Sequence, residues 1–500
     1  MTKQEQSNEL PAFQGKKIDE KRLEKLSKIC AKSAPKIDPK KEDRSKAEDE
    51  LVKLNIVEEV YNELMKAYSF ISVEEKLYVY VPEQGYWKLI TDSESQRMLR
   101  QRVDRKWRGR VNKTNLQEIY EWLVLDAPHK SETIFREGRH YLNFSNLAYN
   151  WNKDKTTKDR KKLYFRYALN VPFKCDEGNG TFDKYLTDTF GTDTDTIREF
   201  KKFCGLAISD MRTLKYAVIF YGRANSGKSV FMNLLRFIVG PLDTGAVSFS
   251  QMSSEFHVAQ LLGKRLNLSA EVSGVTLSRL DVFRALCGND QVLASHKMKD
   301  PFSFTSRCLL TFSCNLLPKI SDPMEVQSVI ERFLIFPFSN VKPREEWDPK
   351  LTEHLCDDYP AFIRFAIDGL KLLEKDHHTI QESPAMKRCK MQYAGQHDSF
   401  TLFEKEFLLP AKDNRVSSAS IKTAYSKFCA INDCVELKDN IWGQILKRDF
   451  GCYACTISEK TDTKTHRIRA YEGIKFADSV VDLLQSPAPS PTIVNLLDKD

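Results

Sequence analysis

The sequence predicts an α/β chain built on a parallel sheet, with a mixed α/β region before it and a small helix–helix–hairpin domain after it. Three observations predict it. Between about 215 and 340, short apolar runs alternate with helix-period segments, the pattern of strand–helix–strand units. The first run, Tyr216 to Tyr221, leads into Gly222-Arg-Ala-Asn-Ser-Gly227-Lys228-Ser229, and a helical apolar face follows at Phe231, Leu234, Leu235 and Ile238. After about 400, two helical segments precede two short strand-like pieces.

Composition bounds the reading. Five hundred residues suggest about three domains. The formal charge of +8 permits a polyanionic partner without demanding one. No apolar run approaches a membrane span, and the first residues lack the apolar segment of a secretion signal. The 12 cysteines therefore read as reduced thiols, and a cytoplasmic location is expected.

In chain order, residues 1–58 are rich in Lys and Glu and broken by Pro11, Pro35 and Pro39, as in a disordered, basic leader. Residues 59–175 read as a mixed α/β domain. Tyr78 to Val81 alternates like a strand, and Gly85 to Lys88 looks like a turn into a second strand. The stretch Arg97, Arg100, Arg102, Arg105, Lys106, Trp107, Arg108, Arg110, Lys113 suits either a nucleic-acid backbone contact with one stacking ring or a solvated helix face. Residues 176–214 read as a helical connector. The core spans 215–342, with further strands at Arg265–Ser269, Cys308–Cys314 and Phe333–Phe338. Helical periodicity dominates 343–398. Within 399–476, helices at Ser418–Ile431 and Asn440–Phe450 precede strands at Cys452–Ser458 and His466–Tyr471, the order of a winged helix. Residues 477–500 read as a mobile tail.

Strand, glycine-rich loop and helix in that order are what a P-loop needs. Gly222 and Gly227 let the backbone wrap a polyphosphate, with Asn225, Ser226, Lys228, Ser229 and Val230 completing the loop and helix start. Lys228 can reach the β- and γ-phosphates of a bound nucleotide, and the Ser229 hydroxyl can ligate Mg²⁺. An acid at the tip of a neighbouring strand is needed for the metal or for water, and Glu271 supplies one. Asn315 ends a second apolar strand, where it can position water. Arg332, after Glu331, opens a third strand, where an arginine can stabilise charge on a neighbouring subunit's nucleotide. Singly these are weak signals; their order after the loop carries the weight.

With these motifs in place, Tyr216 to Phe338 resembles the ATPase of superfamily 3 helicases, and more closely the poxvirus and phage/plasmid-type primase-helicases. The matching stretches are Gly222 to Ser229, Leu262 to Glu271, Leu286 to Asp300, and Leu309 to Pro318, with Arg332 and its strand following. Weaker likeness runs over roughly residues 70 to 475. The resemblance implies an AAA+-like ATPase, usually a hexameric homo-oligomer, that moves on single-stranded and forked DNA with 3′ to 5′ polarity. The expected setting is replication of a phage or mobile element in a bacterial host cytoplasm. It also implies that Lys228 and Ser229 bind phosphate and Mg²⁺, Glu271 is the Walker B acid, Asn315 is sensor 1 and Arg332 is a trans-acting finger. His296, Lys297 and Lys299 would sit on a hairpin gripping DNA phosphates. The pattern departs where Ala270 stands before a single acid, and where Arg284 and Asn289 replace a common lysine and glycine. About 70 residues precede the match, too few for a primase domain, so no primer synthesis is expected.

In the C-terminal domain, Lys447, Arg448, Lys464, His466, Arg467 and Arg469 place charge where a winged helix meets a duplex, at a replication origin or a fork; a solvated basic surface is the alternative. Cys429, Cys434, Cys452 and Cys455 suggest either a zinc site or, more commonly, small buried thiols. Two functions stay open: a processive helicase, and an ATP-dependent origin-binding initiator that melts DNA locally. A small-molecule kinase leaves Arg332 and the flanking domains unused.

Overall fold

The computed structural model describes residues 57–90, 100, 111–174, 178–212, 215–270, 276–277, 279–297, 300–320, 325–432, 434–461 and 464–485. The leader, Arg97, the basic run from Arg102 to Arg110, Glu271, Lys299 and the last residues lie outside the described residues, as do the side chains of Lys464 and His466. The chain forms two compact units, one of residues 1–67 with 91–126 and one of 68–90 with 127–500. Among the described residues no helix is long and apolar enough to cross a membrane.

In the first unit, a helix over 57–67 and one over Lys113–Asp126 are described. The Tyr61 ring meets Trp122 edge-on at 5.8 Å, and its hydroxyl donates to Asp126 at 2.7 Å. The second helix starts on a reciprocal exchange, Asn112 N–H to Asn115 Oδ1 (3.1 Å) and Asn115 N–H to Asn112 Oδ1 (3.0 Å). Each side chain satisfies an amide that the first turn leaves without a partner.

The second unit opens with the expected hairpin, Lys76–Val81 against Tyr86–Leu89, inside a four-stranded sheet. A three-stranded antiparallel sheet, Tyr141–Asn143, Ala148–Asn150 and Lys155–Thr157, follows. Arg160 ties the two regions together. Its buried guanidinium donates to the carbonyls of Pro82, Glu83 and Gln84 on one side, and of Phe144 and Ser145 on the other. Main-chain oxygens thus satisfy a cation that burial would otherwise penalise.

The central sheet has five strands: β1 (Ala217–Tyr221), β2 (Thr244–Gly245), β3 (Leu266–Ser269), β4 (Leu309–Cys314) and β5 (Phe333–Pro337). Their order is β5-β1-β4-β3-β2, and every pairing is parallel. Along β1, Val218 and Phe220 join one hydrophobic cluster, and Ala217 and Ile219 the other. A strand buried on both faces reads as a continuous apolar run, as this one does. The first face is covered by α1 (Thr181–Phe190), α2 (Thr194–Ile208) and α3 (Lys228–Val239), among them Phe200, Phe203 and Phe231. The second is covered by α4 (Leu280–Gly288), with Phe283. Two later helices, α5 (Tyr359–Lys375) and α6 (Pro384–His397), return to the first and second faces through Phe362 and Tyr393.

An ionic network closes the N-terminal edge of the sheet. Arg166 and Arg307 each reach Asp210 at 3.3 Å, and Arg166 also pairs with Glu132 at 2.7 Å. Arg212 donates to the carbonyls of Arg307 (2.6 Å) and Arg265 (2.8 Å), bridging the entries to β4 and β3. Arg265 lies over the Tyr167 ring at 3.6 Å. Burial alone would raise the Asp210 pKa, but Arg307, Arg166, Arg212 and Arg265 bring it down to about 2.

The C-terminal part comprises α7 (Ser399–Phe407), α8 (Ser418–Asn432), α9 (Asp439–Phe450) and a three-stranded antiparallel sheet with Lys464–Phe476 in the middle. Helices α8 and α9 and the hairpin Tyr453–Thr461/Lys464–Phe476 match the sequence reading closely. The third strand, Leu408–Ser417, was not expected: it is an edge strand, mostly exposed, with a register shift between Ala411 and Arg415 that hides any alternation. The expectation of a mobile tail from 477 is corrected at its start. Ser479–Gln485 is a helix, because Val480 and Leu483 are buried in this domain's core.

That core holds an acid with an unusual proton affinity. Glu404 is 2 % exposed, and burial, then its hydrogen bond with Asp449, raise its pKa to about 9. Asp398, Arg448 and Lys405 also face this cluster. The folded protein keeps a proton that the unfolded chain releases above about 4.3. The stabilisation is therefore full below that pH and is lost as pH rises through about 9. Replacing Glu404 by Gln should raise Tm by at least about 2 °C at pH 8 and leave it nearly unchanged at pH 4.5, read by circular dichroism melts.

Candidate active site at the C-terminal edge of the parallel sheet

The chain leaves β1 through a constricted point. Gly222 N–H donates to Cys314 O of β4 (3.3 Å), and Phe338 N–H, just past β5, donates to Tyr221 O (2.7 Å). A Cβ at Gly222 would lie 2.1 Å from Phe338 O, so only glycine passes between the neighbouring strands. The loop then takes left-handed conformations at Asn225 (φ 64°) and Gly227 (φ 88°). Helix α3 starts directly at Lys228, and no side chain caps its first turn. Its leading N–H groups and the positive end of its dipole are therefore left for another partner, a ready anion site.

Lys228 is only 5 % exposed and folds back on its own loop. Its Nζ donates to Gly222 O (2.8 Å), Arg223 O (2.6 Å) and Ser226 Oγ (3.1 Å). Burial lowers its pKa. Ser226 Oγ in turn donates to Arg223 O at 2.9 Å. Asn225 and Ser229 are exposed at the rim.

Beside the loop lies a cleft of about 460 Å³, lined by Gly222, Arg223, Asn315, Ser339, Arg388 and Gln392 among others. Asn315 arrives there because Cys314, the last residue of β4, pairs with Tyr221 of β1. Arg223 and Arg388 were missed by the sequence reading. Arg388 belongs to α6, whose Met386, Cys389 and Tyr393 face the core, while Ala385, Arg388 and Gln392 face the cleft. That 3.6-residue split was the available signal. Tyr393 also donates to Pro318 O, tying α6 to the segment after Asn315. Burial pushes the Cys314 and Cys389 thiols up to about 12, so neither is a nucleophile, and the cleft offers cations and hydrogen-bond donors.

The other candidates lie elsewhere. Arg332 stands at the opposite edge: its carbonyl accepts from Ala217 N–H at the start of β1, and its Nη1 donates to Ser328 O at 2.6 Å. By strand rise it is about 20 Å from Gly222. His296 and Lys297 are exposed beyond the antiparallel hairpin Gln291–Ala294/Phe302–Thr305, with the His296 ring stacked on Phe302 at 5.1 Å. Lys447, Arg467 and Arg469 are exposed on the C-terminal domain. Arg448 is also exposed there. Its guanidinium forks onto Asp449 (2.5 and 2.6 Å), beside the buried Glu404. Among the described residues no group of three or more His, Cys, Asp or Glu is placed to hold a metal ion, and Cys429 and Cys452 are buried thiols of the domain core.

Residues 220–327, which contain the loop, match a protein family of unknown function, DUF5906. No curated protein matches the chain. Among solved structures, the A form apo structure of the NrS-1 C-terminal region is similar at 15 % identity and a TM-score of 0.46. That alignment covers 83 % of this chain and 98 % of the other. A second apo structure of the same region gives 14 % identity, the same coverage and a TM-score of 0.46.

The crowding at Gly222 yields a stability test. Gly222→Ala should destabilise the protein by about 1–3 kcal/mol, because Phe338 O belongs to backbone that cannot give way. Urea denaturation would show it as a lower midpoint with little change in slope.

Proposed function

We propose that the chain is an ATP- and Mg²⁺-dependent DNA helicase, working as a ring-shaped homo-oligomer in the replication of a phage or mobile element. The observation that carries the reading is the uncapped helix α3 opening directly behind a glycine-rich, left-handed loop at the C-terminal end of a central parallel strand. Ligands of open α/β sheets sit outside the carboxyl ends of the strands, and anions favour uncapped helix starts. The residues fit a nucleoside triphosphate. The loop supplies backbone donors, Lys228 has three donors already turned inward, and Arg223 and Arg388 add positive charge to the adjoining cleft.

On this reading the phosphates take over the oxygen contacts that Lys228 makes with its own loop. Ser229, exposed on the first turn of α3, would hold Mg²⁺, which supplies charge neutralisation on the phosphates. Asn315, in the same cleft, orients the attacking water. Arg332 is too far from its own loop to help there, which favours action on a neighbouring copy's nucleotide. His296 and Lys297 supply exposed DNA contacts on their hairpin, with no reading of base identity. A second reading, an origin-binding initiator, is favoured by one observation: the exposed Lys447, Arg467 and Arg469 of the C-terminal domain.

The deciding experiment is unwinding of duplexes bearing a 3′ or a 5′ single-stranded tail, with ATP and Mg²⁺. Unwinding from the 3′ tail alone, lost in Lys228→Ala, is the expected result. ATP hydrolysis without strand separation on either substrate would shift the assignment to the initiator. For Arg332, the single variants Lys228→Ala and Arg332→Ala should each lose at least about 100-fold in kcat. Mixing the two should restore part of the ATPase, because some neighbour pairs then combine an intact loop with an intact arginine.

A further inference from the structure

The residue before Lys228 is held by a side chain from another helix. Tyr185 of α1 is 3 % exposed, and its hydroxyl donates to Gly227 O at 3.1 Å. Its ring covers the α-carbon of Gly227, where a Cβ would stand 3.1 Å from Cε2. The same ring stacks on Phe231, one turn into α3, at 6.1 Å and 5°. Gly227 O also accepts the first helical bond, from Phe231 N–H at 3.1 Å. Burial raises the Tyr185 pKa, so the phenol stays a donor.

Helix α1 is itself anchored. The carboxylate of Asp358, 1 % exposed at the start of α5, accepts from Asn179 N–H (2.7 Å) and Phe182 N–H (2.8 Å). Tyr185 therefore acts from a fixed base.

A trans peptide points its C=O and the following N–H in opposite directions. Holding Gly227 O against Tyr185 aims Lys228 N–H away from α1, toward the concave side of the loop. A flip of that peptide would turn ψ of Gly227, where glycine itself offers little resistance, so the two hydrogen bonds to Gly227 O, from Phe231 N–H and from the Tyr185 hydroxyl, oppose it. We infer that Tyr185 is a positioning residue for the nucleotide loop, holding the Gly227–Lys228 peptide in the orientation that presents its N–H to a phosphate oxygen. This rests on the nucleotide reading given above.

The test is Tyr185→Phe in the full chain, which keeps the ring and removes one hydrogen bond. Titration with a fluorescent non-hydrolysable ATP analogue and Mg²⁺ should show Kd rising about 3- to 10-fold. KM for ATP should rise with it, kcat at saturation should stay within about twofold, and Tm within about 2 °C. Leu186→Ala removes a different buried side chain of the same helix and should leave Kd unchanged. Unchanged affinity in Tyr185→Phe, while Lys228→Ala abolishes binding, overturns the positioning role and leaves the nucleotide site standing. Equal losses in Tyr185→Phe and Leu186→Ala also overturn it, since the effect would then be general loosening. Binding that survives Lys228→Ala overturns both readings together.

Discussion

A buried ammonium has to be satisfied, and the glycine-rich loop is folded around that requirement. Lys228 emerges from the first residue of α3 into a space closed by Gly222, Arg223 and Ser226, whose oxygens take its protons. A charge left there without partners would cost several kcal/mol. The loop's path follows from this. Gly222 must pass between β4 and β5, Asn225 and Gly227 must turn left-handed, and Ser226 must bond back to Arg223. Only then do the oxygens converge on Nζ. On the proposed function, a polyphosphate would exchange contacts with this closed cup instead of ordering a chain, which lowers the entropic cost of binding.

The two edges of the sheet divide the charges between them. At the N-terminal edge, Arg166, Arg212, Arg265 and Arg307 are consumed by Asp210, Glu132, backbone carbonyls and the Tyr167 ring. Those contacts join the segments entering β1, β3 and β4 and fix their relative heights. At the C-terminal edge, Arg223 and Arg388 face a cleft, exposed, with Asn315 beside them. Charge that is neutralised internally builds a frame; charge that faces a cleft is open to solvent. The same residue type thus has opposite meanings at opposite ends of one sheet.

This division explains what was legible in the sequence. Strands such as β1 and β4 were readable because they are buried on both faces and therefore mostly apolar, as in Ala217 to Phe220 and, apart from Thr311 and Ser313, Leu309 to Cys314. The loop was readable because its glycines answer local backbone demands, a crowded passage at Gly222 and a left-handed turn at Gly227. Arg388 was not, because the spacing of α6 shows only that it lies off the buried face, and the fold alone brings it to Gly222. Tyr185 was hidden for the same reason: an aromatic residue on an apolar helix face reads as core, and its hydroxyl contact depends on where α1 meets the loop. The pairing of Arg448 was not legible either: its guanidinium forks onto Asp449, the next residue of α9, a choice that depends on side-chain placement.

The position of Arg332 constrains how the proposed ring would work. Its side chain is held by Ser328 O, on the short helix Val326–Ile330 that leads into β5. The neighbouring Gln327, Ser328 and Glu331 line a cavity of about 490 Å³ whose other wall is Glu404, Lys405, Arg448 and Asp449. The segment that aims Arg332 therefore borders the C-terminal domain directly, while the loop of the same chain is a strand's length away. A shift of α7 or α9 against the core would be felt first at Arg332. On the proposed function, a movement of the C-terminal domain would therefore reach the neighbouring copy's nucleotide through Arg332 and not its own chain's loop.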